Sequence, residues 1–97
     1  MSFASDIQAT TLTDTGTAVA RRSRLAGVNV IATSTAGTLT FRDGGATGTV
    51  KLTYNTPASA GAYDLLIPDN GIVFETDIHV TFSDNTNVTS VVVLYVG

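Results

Sequence analysis

The residue type best suited to acid–base chemistry is histidine, and the chain has one, His79, with Asp77 two positions before it. Residues two apart in an extended segment share a face, so this pair would place a carboxylate beside an imidazole. A catalytic triad also needs a nucleophile held against the histidine, and no G-x-S-x-G turn is present to supply one. We therefore interpret His79 as a surface or interface histidine and predict no catalytic residues and no enzyme activity.

Metal binding has little support in the residue types. One histidine and no cysteine cannot supply a zinc site. Acidic and amide side chains cluster in segments 69–70, 75–77 and 84–87, and oxygen-rich loops of this kind can hold calcium, although none has the EF-hand spacing. Because turn formation explains the same residues, we predict no metal site and no cofactor, with calcium as the alternative.

Two further segments have residue types that contact phosphate. Residues 43–48 are rich in glycine but lack the lysine and the following helix of a phosphate-binding loop, so a hairpin turn is the better interpretation. Arg21, Arg22 and Arg24 are three of the five basic residues, with no aromatic residues between them for stacking on bases. The net charge of −3 also opposes a phosphate backbone, so we expect no nucleic-acid partner. The arginines would pair with an acidic partner or stand in water.

Targeting and modification signals are weak. Residues 1–20 contain neither a basic region nor a continuous apolar region, so we expect no signal peptide, and the sequon at Asn87 then carries no weight. The longest apolar run, 91–96, is too short to span a membrane. The absence of cysteine favours synthesis in a reducing cytosol. Three tyrosines are interpreted as core or sheet-edge aromatics rather than a sugar-binding platform: Tyr54, Tyr63 and Tyr95.

The composition predicts the elements that would hold these residues. Seventeen threonines are set among valine, isoleucine and leucine in short runs separated by glycine, aspartate and asparagine. β-Branched residues fit the pleated surface of a sheet. With 13% charged residues and a mean hydropathy of +0.27, the chain has more apolar surface than a small soluble domain usually needs. We expect the excess to face another subunit.

Alternating polar and apolar residues predict the strands. Segments 37–42 and 49–54 alternate in the same way around the glycine-rich turn and predict a hairpin. Near Gly27 the pattern changes from alternate to adjacent apolar residues, which indicates a bulge. The last strand, 88–96, is apolar on both faces and should be central and covered twice. Seven to nine short strands and no helical periodicity indicate an all-β, antiparallel, jelly-roll-like sandwich.

The first 24 residues differ from the rest of the chain. Their apolar residues are thinly spread among alanine, threonine, serine and aspartate. We divide the chain into an N-terminal segment, 1–24, and a sandwich domain, 25–97. The N-terminal segment forms either the sandwich's own edge strands or an extended arm that adds a strand to a neighbouring subunit.

Part of the chain resembles a family of viral proteins. Segments 24–30 (Arg-Leu-Ala-Gly-Val-Asn-Val), 40–45 (Thr-Phe-Arg-Asp-Gly-Gly) and 63–68 (Tyr-Asp-Leu-Leu-Ile-Pro), with Gly71-Ile72, resemble small all-β virion structural proteins of marine tailed bacteriophages. These residues form the fold, so no functional residue is carried over. The resemblance implies a virion component, assembled in the host cytoplasm, and favours a capsid decoration (cement) protein.

These observations lead to two hypotheses about function. In the first, the protein decorates the outer capsid shell, with the major capsid protein as its partner, and forms a homo-oligomer for which we consider a trimer. In the second, it is a tail, neck or fibre-associated module that recognises the host surface. The second hypothesis predicts aromatic side chains in the loops, and the sequence places few there.

Overall fold

Nine strands make up the computed structural model, which describes residues 7–67, 71–84 and 86–96. In chain order they are β1 (Gln8–Leu12), β2 (Gly16–Val19), β3 (Ser23–Ala32), β4 (Gly37–Asp43), β5 (Thr49–Thr56), β6 (Gly61–Leu66), β7 (Ile72–Phe74), β8 (Ile78–Phe82) and β9 (Val88–Val96). No helix long and apolar enough to cross a membrane occurs in these residues.

The strands form two antiparallel sheets. Sheet A has the order β1-β9-β3-β6, and the short β7 pairs with the start of β3 on the same side as β6. Sheet B has the order β2-β8-β4-β5. Apart from the β4–β5 and β6–β7 connections, each link passes from one sheet to the other, which gives the strand order of a jelly roll. The predicted all-β jelly-roll sandwich is therefore confirmed.

Strands at the start of the chain lie at the edges of the sheets. β1 pairs with β9 at one edge of sheet A, and β2 pairs with β8 at one edge of sheet B. Within residues 1–24, the described part thus contributes a strand to each sheet of its own chain. Residues 1–6 lie outside the described residues.

The local predictions for the hairpin and the bulge are confirmed. β4 and β5 pair around the turn at 44–48, where the backbone leaves no room for a side chain at Gly48, because its Cβ would lie 2.3 Å from the carbonyl oxygen of Asp43. Between Leu25 and Gly27 the register of β3 against β9 shifts by one residue, which places a bulge at Ala26.

Because side chains alternate between the two faces of a strand, one set of apolar side chains on each strand lies between the two sheets. The core is formed by fully buried residues from both sheets, including Leu25, Val28, Leu39, Phe41, Phe74, Ile78, Val80, Val91 and Val93. β9 lies between β1 and β3, so its predicted central position is confirmed. The described chain covers only the inner face of β9, however, and leaves Val92 and Leu94 half-buried on the outer face.

Candidate functional site

The outer face of sheet B carries polar side chains. Core residues such as Leu39 and Phe41 alternate with residues that face away from sheet A. We define the outer face of sheet B by Thr17 on β2, Thr38, Thr40 and Arg42 on β4, Val50, Thr53 and Asn55 on β5, and His79 and Thr81 on β8. Most of the threonines in these strands therefore point away from the core.

His79 lies in the middle of this face, in a row with Thr17 on one side and Arg42 on the other. Its Nδ1 is 3.2 Å from the Thr17 hydroxyl, while its Nε2 is buried without a hydrogen-bond partner in the described residues. The side chain is only 8% exposed. The pair joins a hydroxyl to a possible base, but a carboxylate that would orient the imidazole is missing from this row.

The predicted pairing of Asp77 with His79 is wrong. The Asp77 carboxylate instead accepts hydrogen bonds from the backbone N–H groups of Gly44, at 2.9 Å, and Gly45, at 3.1 Å. Asp77 precedes β8 and belongs to the loop after β7, where backbone direction is not set by the strand pleat. The two-residue spacing therefore does not predict the direction of its side chain.

Other polar atoms of this face are also closed to solvent. Arg42 donates from Nη1 to the carbonyl oxygen of Gly48, at 3.2 Å, but its Nε is buried without a partner in the described residues. The hydroxyl of Thr81, which lies opposite Thr40 in the neighbouring row, is buried without a partner there too. A ligand that approaches this face would meet neighbouring atoms before it reached any of these groups. The row is therefore not an open binding site.

A pair of aspartates joins the β4–β5 turn to the β7–β8 loop. Asp43 accepts from the backbone N–H groups of Glu75 (2.9 Å), Thr76 (2.8 Å) and Asp77 (3.4 Å), while Asp77 accepts from the glycine N–H groups of the turn. We call this arrangement the carboxylate clamp. Donation from Glu75 and Thr76 lowers the pKa of the Asp43 carboxyl below its usual value. The sequence analysis missed this role of Asp43, which follows from the approach of two distant loops.

In the segments considered for calcium, carboxylate oxygens accept hydrogen bonds from the chain itself. Asp84 accepts from the N–H and the hydroxyl of Thr86, which closes a turn and lowers the pKa of its carboxyl. In the described part of the chain, no three acidic or histidine side chains come together in a way that could hold a metal ion. Asp69, Asn70 and Asn85 lie outside that part.

The three clustered arginines diverge. Arg22 forms an exposed ion pair with Glu75 at 3.0 Å, and the guanidinium of Arg21 lies 5.7 Å from the ring centre of Tyr95. Arg24 is on β3 and faces outward from sheet A, opposite Val96 and Val73. The three arginines, close together in sequence, therefore lie in three different environments. Only for Arg24, which lies within a strand, could the alternation of the sequence predict the direction of the side chain.

The tyrosines and the sequon asparagine serve internal contacts. Tyr95 is buried and donates its hydroxyl to the side-chain oxygen of Gln8, while Tyr63 donates to the carbonyl oxygen of Ser59. Tyr54 packs against the core. The amide of Asn87 donates to the carbonyl oxygen of Ala36 at 3.2 Å.

The outer face of sheet A is different, because it is largely apolar. It is formed by the residues that alternate with the core residues of sheet A, namely Ala9, Thr11, Arg24, Gly27, Asn29, Ile31, Ala62, Asp64, Leu66, Val73, Ser90, Val92, Leu94 and Val96. Leu66 is 79% exposed, and Ile31 and Val96 are also exposed. An exposed apolar cluster of this kind on a sheet face is a candidate interaction surface.

A row of leucines crosses the middle of this face. Leu94, Gly27 and Leu66 are direct neighbours on β9, β3 and β6. A Cβ built on Gly27 would lie 3.5 Å from a methyl of Leu94 and 3.6 Å from a methyl of Leu66, so both leucines lean over the glycine. Asn29 donates to Asp64 two rungs further along the sheet.

Comparisons of this chain with protein-family models, with curated proteins and with solved structures gave no match.

Proposed function

We propose that the protein is a structural component of a tailed-phage virion, a capsid decoration protein that binds the outer shell through contacts with the major capsid protein. The observation that carries the proposal is the apolar outer face of sheet A, where Leu66, at the end of the edge strand β6, is 79% exposed. Such a face stabilises an assembly when it is covered by another subunit. The resemblance of segments 24–30, 40–45 and 63–68 to phage virion proteins gives the class of assembly.

The jelly roll supports the proposal only at the level of architecture. This fold recurs in capsid domains, but also in lectins and in cupins, and a fold does not by itself define a function. The distribution of polar groups is a stronger argument. The carboxylate clamp uses its hydrogen bonds inside the chain, and the atoms of the row around His79 that have no partner among the described residues are buried, so the apolar face is the more accessible feature.

A decoration protein of this size would stabilise the shell through the large number of copies bound to it. Each copy offers one sheet face and binds with modest affinity, but copies that bridge neighbouring shell subunits hold each other's binding sites at high effective concentration. The two packed sheets make each copy a stiff plate, because strand pairing and the shared core restrict bending within the sandwich. Many such plates would resist the outward pressure of packaged DNA.

Copy number in purified virions tests the proposal. Quantitative mass spectrometry, scaled to the major capsid protein, should find hundreds of copies of the chain per particle. Purified protein added to heads that lack it should sediment with them and saturate at a fixed ratio. A handful of copies per virion, without binding to heads, would instead support the tail, neck or fibre hypothesis, and absence from the virion would refute both.

A further inference from the structure

We infer that the outer face of sheet A binds a second copy of this chain across a two-fold axis, with the leucine row of one copy packed on that of the other. The inference goes beyond the proposed function, because it names the occupant of this face in solution, where no capsid shell is present; on the shell, the capsid protein would replace the second copy on the same face. It rests on a pattern within the face. The only two charged side chains among its described residues, Arg24 on β3 and Asp64 on the neighbouring strand β6, lie at equal distances along the strands on opposite sides of the leucine row.

The symmetry is visible in the strand register. We call each set of directly paired residues across the strands a rung. Arg24 pairs with Val96, Leu25 with Tyr95 and Gly27 with Leu94, so Arg24 lies two rungs from Gly27, because Ala26 forms the bulge and has no partner on β9. From Gly27 it steps through Val28 to Asn29, which lies opposite Asp64. Arg24 and Asp64 therefore lie two rungs away from the Leu94–Gly27–Leu66 row, on opposite sides of it.

A two-fold axis along the leucine row would use this arrangement. Rotation by half a turn about an axis in the plane of the interface exchanges the two sides of the row. Arg24 of one copy then lies over Asn29 of the other, one strand (about 4.8 Å) from Asp64, and can reach its carboxylate; the same pair forms a second time. Rungs of a sheet are about 3.3 Å apart and packed sheets lie about 10 Å apart, so an arginine side chain spans the distance to an aspartate on the facing sheet.

The apolar side chains of the face are also self-complementary under this rotation. Leu94 and Leu66 lie on the axis, where each packs against its own counterpart. Both leucines lean over Gly27, which has no side chain to hold them apart. Val96 of one copy comes to face Val92 of the other, since the two valines belong to the outer rungs on opposite sides of the row. The charges thus fix the direction of a contact that is otherwise apolar.

The size of the contact predicts a weak dimer. The overlap covers five rungs and their side chains, about 20 Å, by four strands, about 19 Å, or roughly 400 Å² of flat area per copy. Interfaces at this low end of the size range belong to weak complexes. We therefore expect a concentration-dependent dimer with a dissociation constant of about 1–100 µM rather than an obligate dimer.

Sedimentation-velocity ultracentrifugation of the full chain, from about 1 µM to 1 mM, measures this equilibrium. Leu66→Glu should raise the dissociation constant at least about tenfold, because two carboxylates would meet on the axis. Two matched controls carry the same change at exposed apolar positions. Val50→Glu is on the outer face of sheet B, 47% exposed, and Ile31→Glu is on the outer face of sheet A but outside the overlap. Both should change the constant by less than about twofold.

A charge exchange tests the two-fold pairing itself. Arg24→Glu and Asp64→Arg should each weaken self-association about tenfold, because each places like charges opposite one another. An equimolar mixture of the two variants should form heterodimers with the wild-type constant, since each copy then supplies the charge that the other lacks. Native mass spectrometry distinguishes the heterodimer from both homodimers by mass. Mixing cannot repair a locally damaged strand, so recovery identifies the contact.

Several outcomes would overturn the inference. A protein that stays monomeric up to 1 mM has no such interface, and a trimer would require a contact without two-fold symmetry. Equal weakening by Leu66→Glu and Ile31→Glu would place the contact elsewhere on the face. Failure of the mixed charge variants to associate, with both folded by circular dichroism, would refute the Arg24–Asp64 pairing. Each of these results is independent of whether the protein binds phage heads.

Discussion

Replacement of Asp43 would measure how much the carboxylate clamp contributes to stability. The side chain joins loops that are more than thirty residues apart in sequence, and its two oxygens accept three backbone N–H groups. Asp43→Ala removes both oxygens. Asp43→Asn keeps one acceptor, which can still serve Thr76, but places an N–H₂ donor against the N–H of Glu75.

The magnitude follows from the number and the surroundings of these bonds. A hydrogen bond to a charged group contributes about 1.5–3 kcal/mol when well protected from water. The clamp lies at the surface, where water competes for the same donors, so we reduce the contribution of each of the two short bonds to about 1 kcal/mol and neglect the longer one. We expect Asp43→Ala to lower the free energy of unfolding by about 2 kcal/mol and Asp43→Asn by about half of that.

The effect should depend on pH in a defined direction. The pKa of Asp43 is lower in the folded protein than its usual value of 3.8, because the folded state stabilises the ionised carboxylate. Its contribution is complete above the unfolded pKa and is lost as the pH falls through the folded pKa. The difference between wild type and Asp43→Asn should therefore be constant from neutral pH to about pH 5 and shrink below about pH 4.

Urea unfolding followed by far-ultraviolet circular dichroism, at pH 7 and at intervals down to pH 3, measures these differences. Asp14→Ala is the matched control, because Asp14 accepts a single local hydrogen bond from the N–H of Thr15. It should change stability by less than about 0.5 kcal/mol. If Asp43→Ala unfolds at the same urea concentration as wild type, the clamp does not stabilise the fold. A difference that stays the same at pH 3 would show that the ionised form has no special role.

Three further predictions concern the backbone, the core and the surface. Gly71→Ala should lower stability by more than about 2 kcal/mol in the same urea assay, because its φ is +79° and a Cβ would lie 2.3 Å from a carbonyl oxygen of β3; wild-type stability would contradict the backbone conformation. Val93→Ala should cost about 2–3 kcal/mol, whereas Val92→Ala, measured at a concentration where the protein is monomeric, should cost less than about 1 kcal/mol, since Val93 is in the core and Val92 is on the outer face; equal costs would refute the assigned faces. Arg22→Ala should shift the unfolding midpoint by less than about 0.5 kcal/mol, because its ion pair with Glu75 is exposed to water; a larger loss would show that the pair is more protected than its exposure indicates.

Much of the sandwich could be predicted from the sequence, because the period of a strand is local. In segment 37–42, Leu39 and Phe41 alternate with polar residues, and this pattern alone specifies which side chains enter the core. The same reasoning predicted the hairpin, the bulge near Gly27 and the central position of the last strand. Such features depend on neighbours within a few residues, or on how apolar a strand is on both faces.

The functional features depended on contacts that no local pattern contains. Asp43 contacts the 75–77 loop only because the jelly-roll order brings two turns to the same end of the sandwich. For the same reason, the Asp77 carboxylate bonds to the turn at Gly44 and not to His79. The leucine row is assembled from three strands that are far apart in sequence, and the equal distances of Arg24 and Asp64 from it follow from the pairing register. Alternation determines the face of a residue, but only strand order and register determine its neighbours across the sheet. The sequence by itself therefore determined which residues of the alternating strands enter the core, whereas the tertiary structure decided which outward residues are covered and which form one surface.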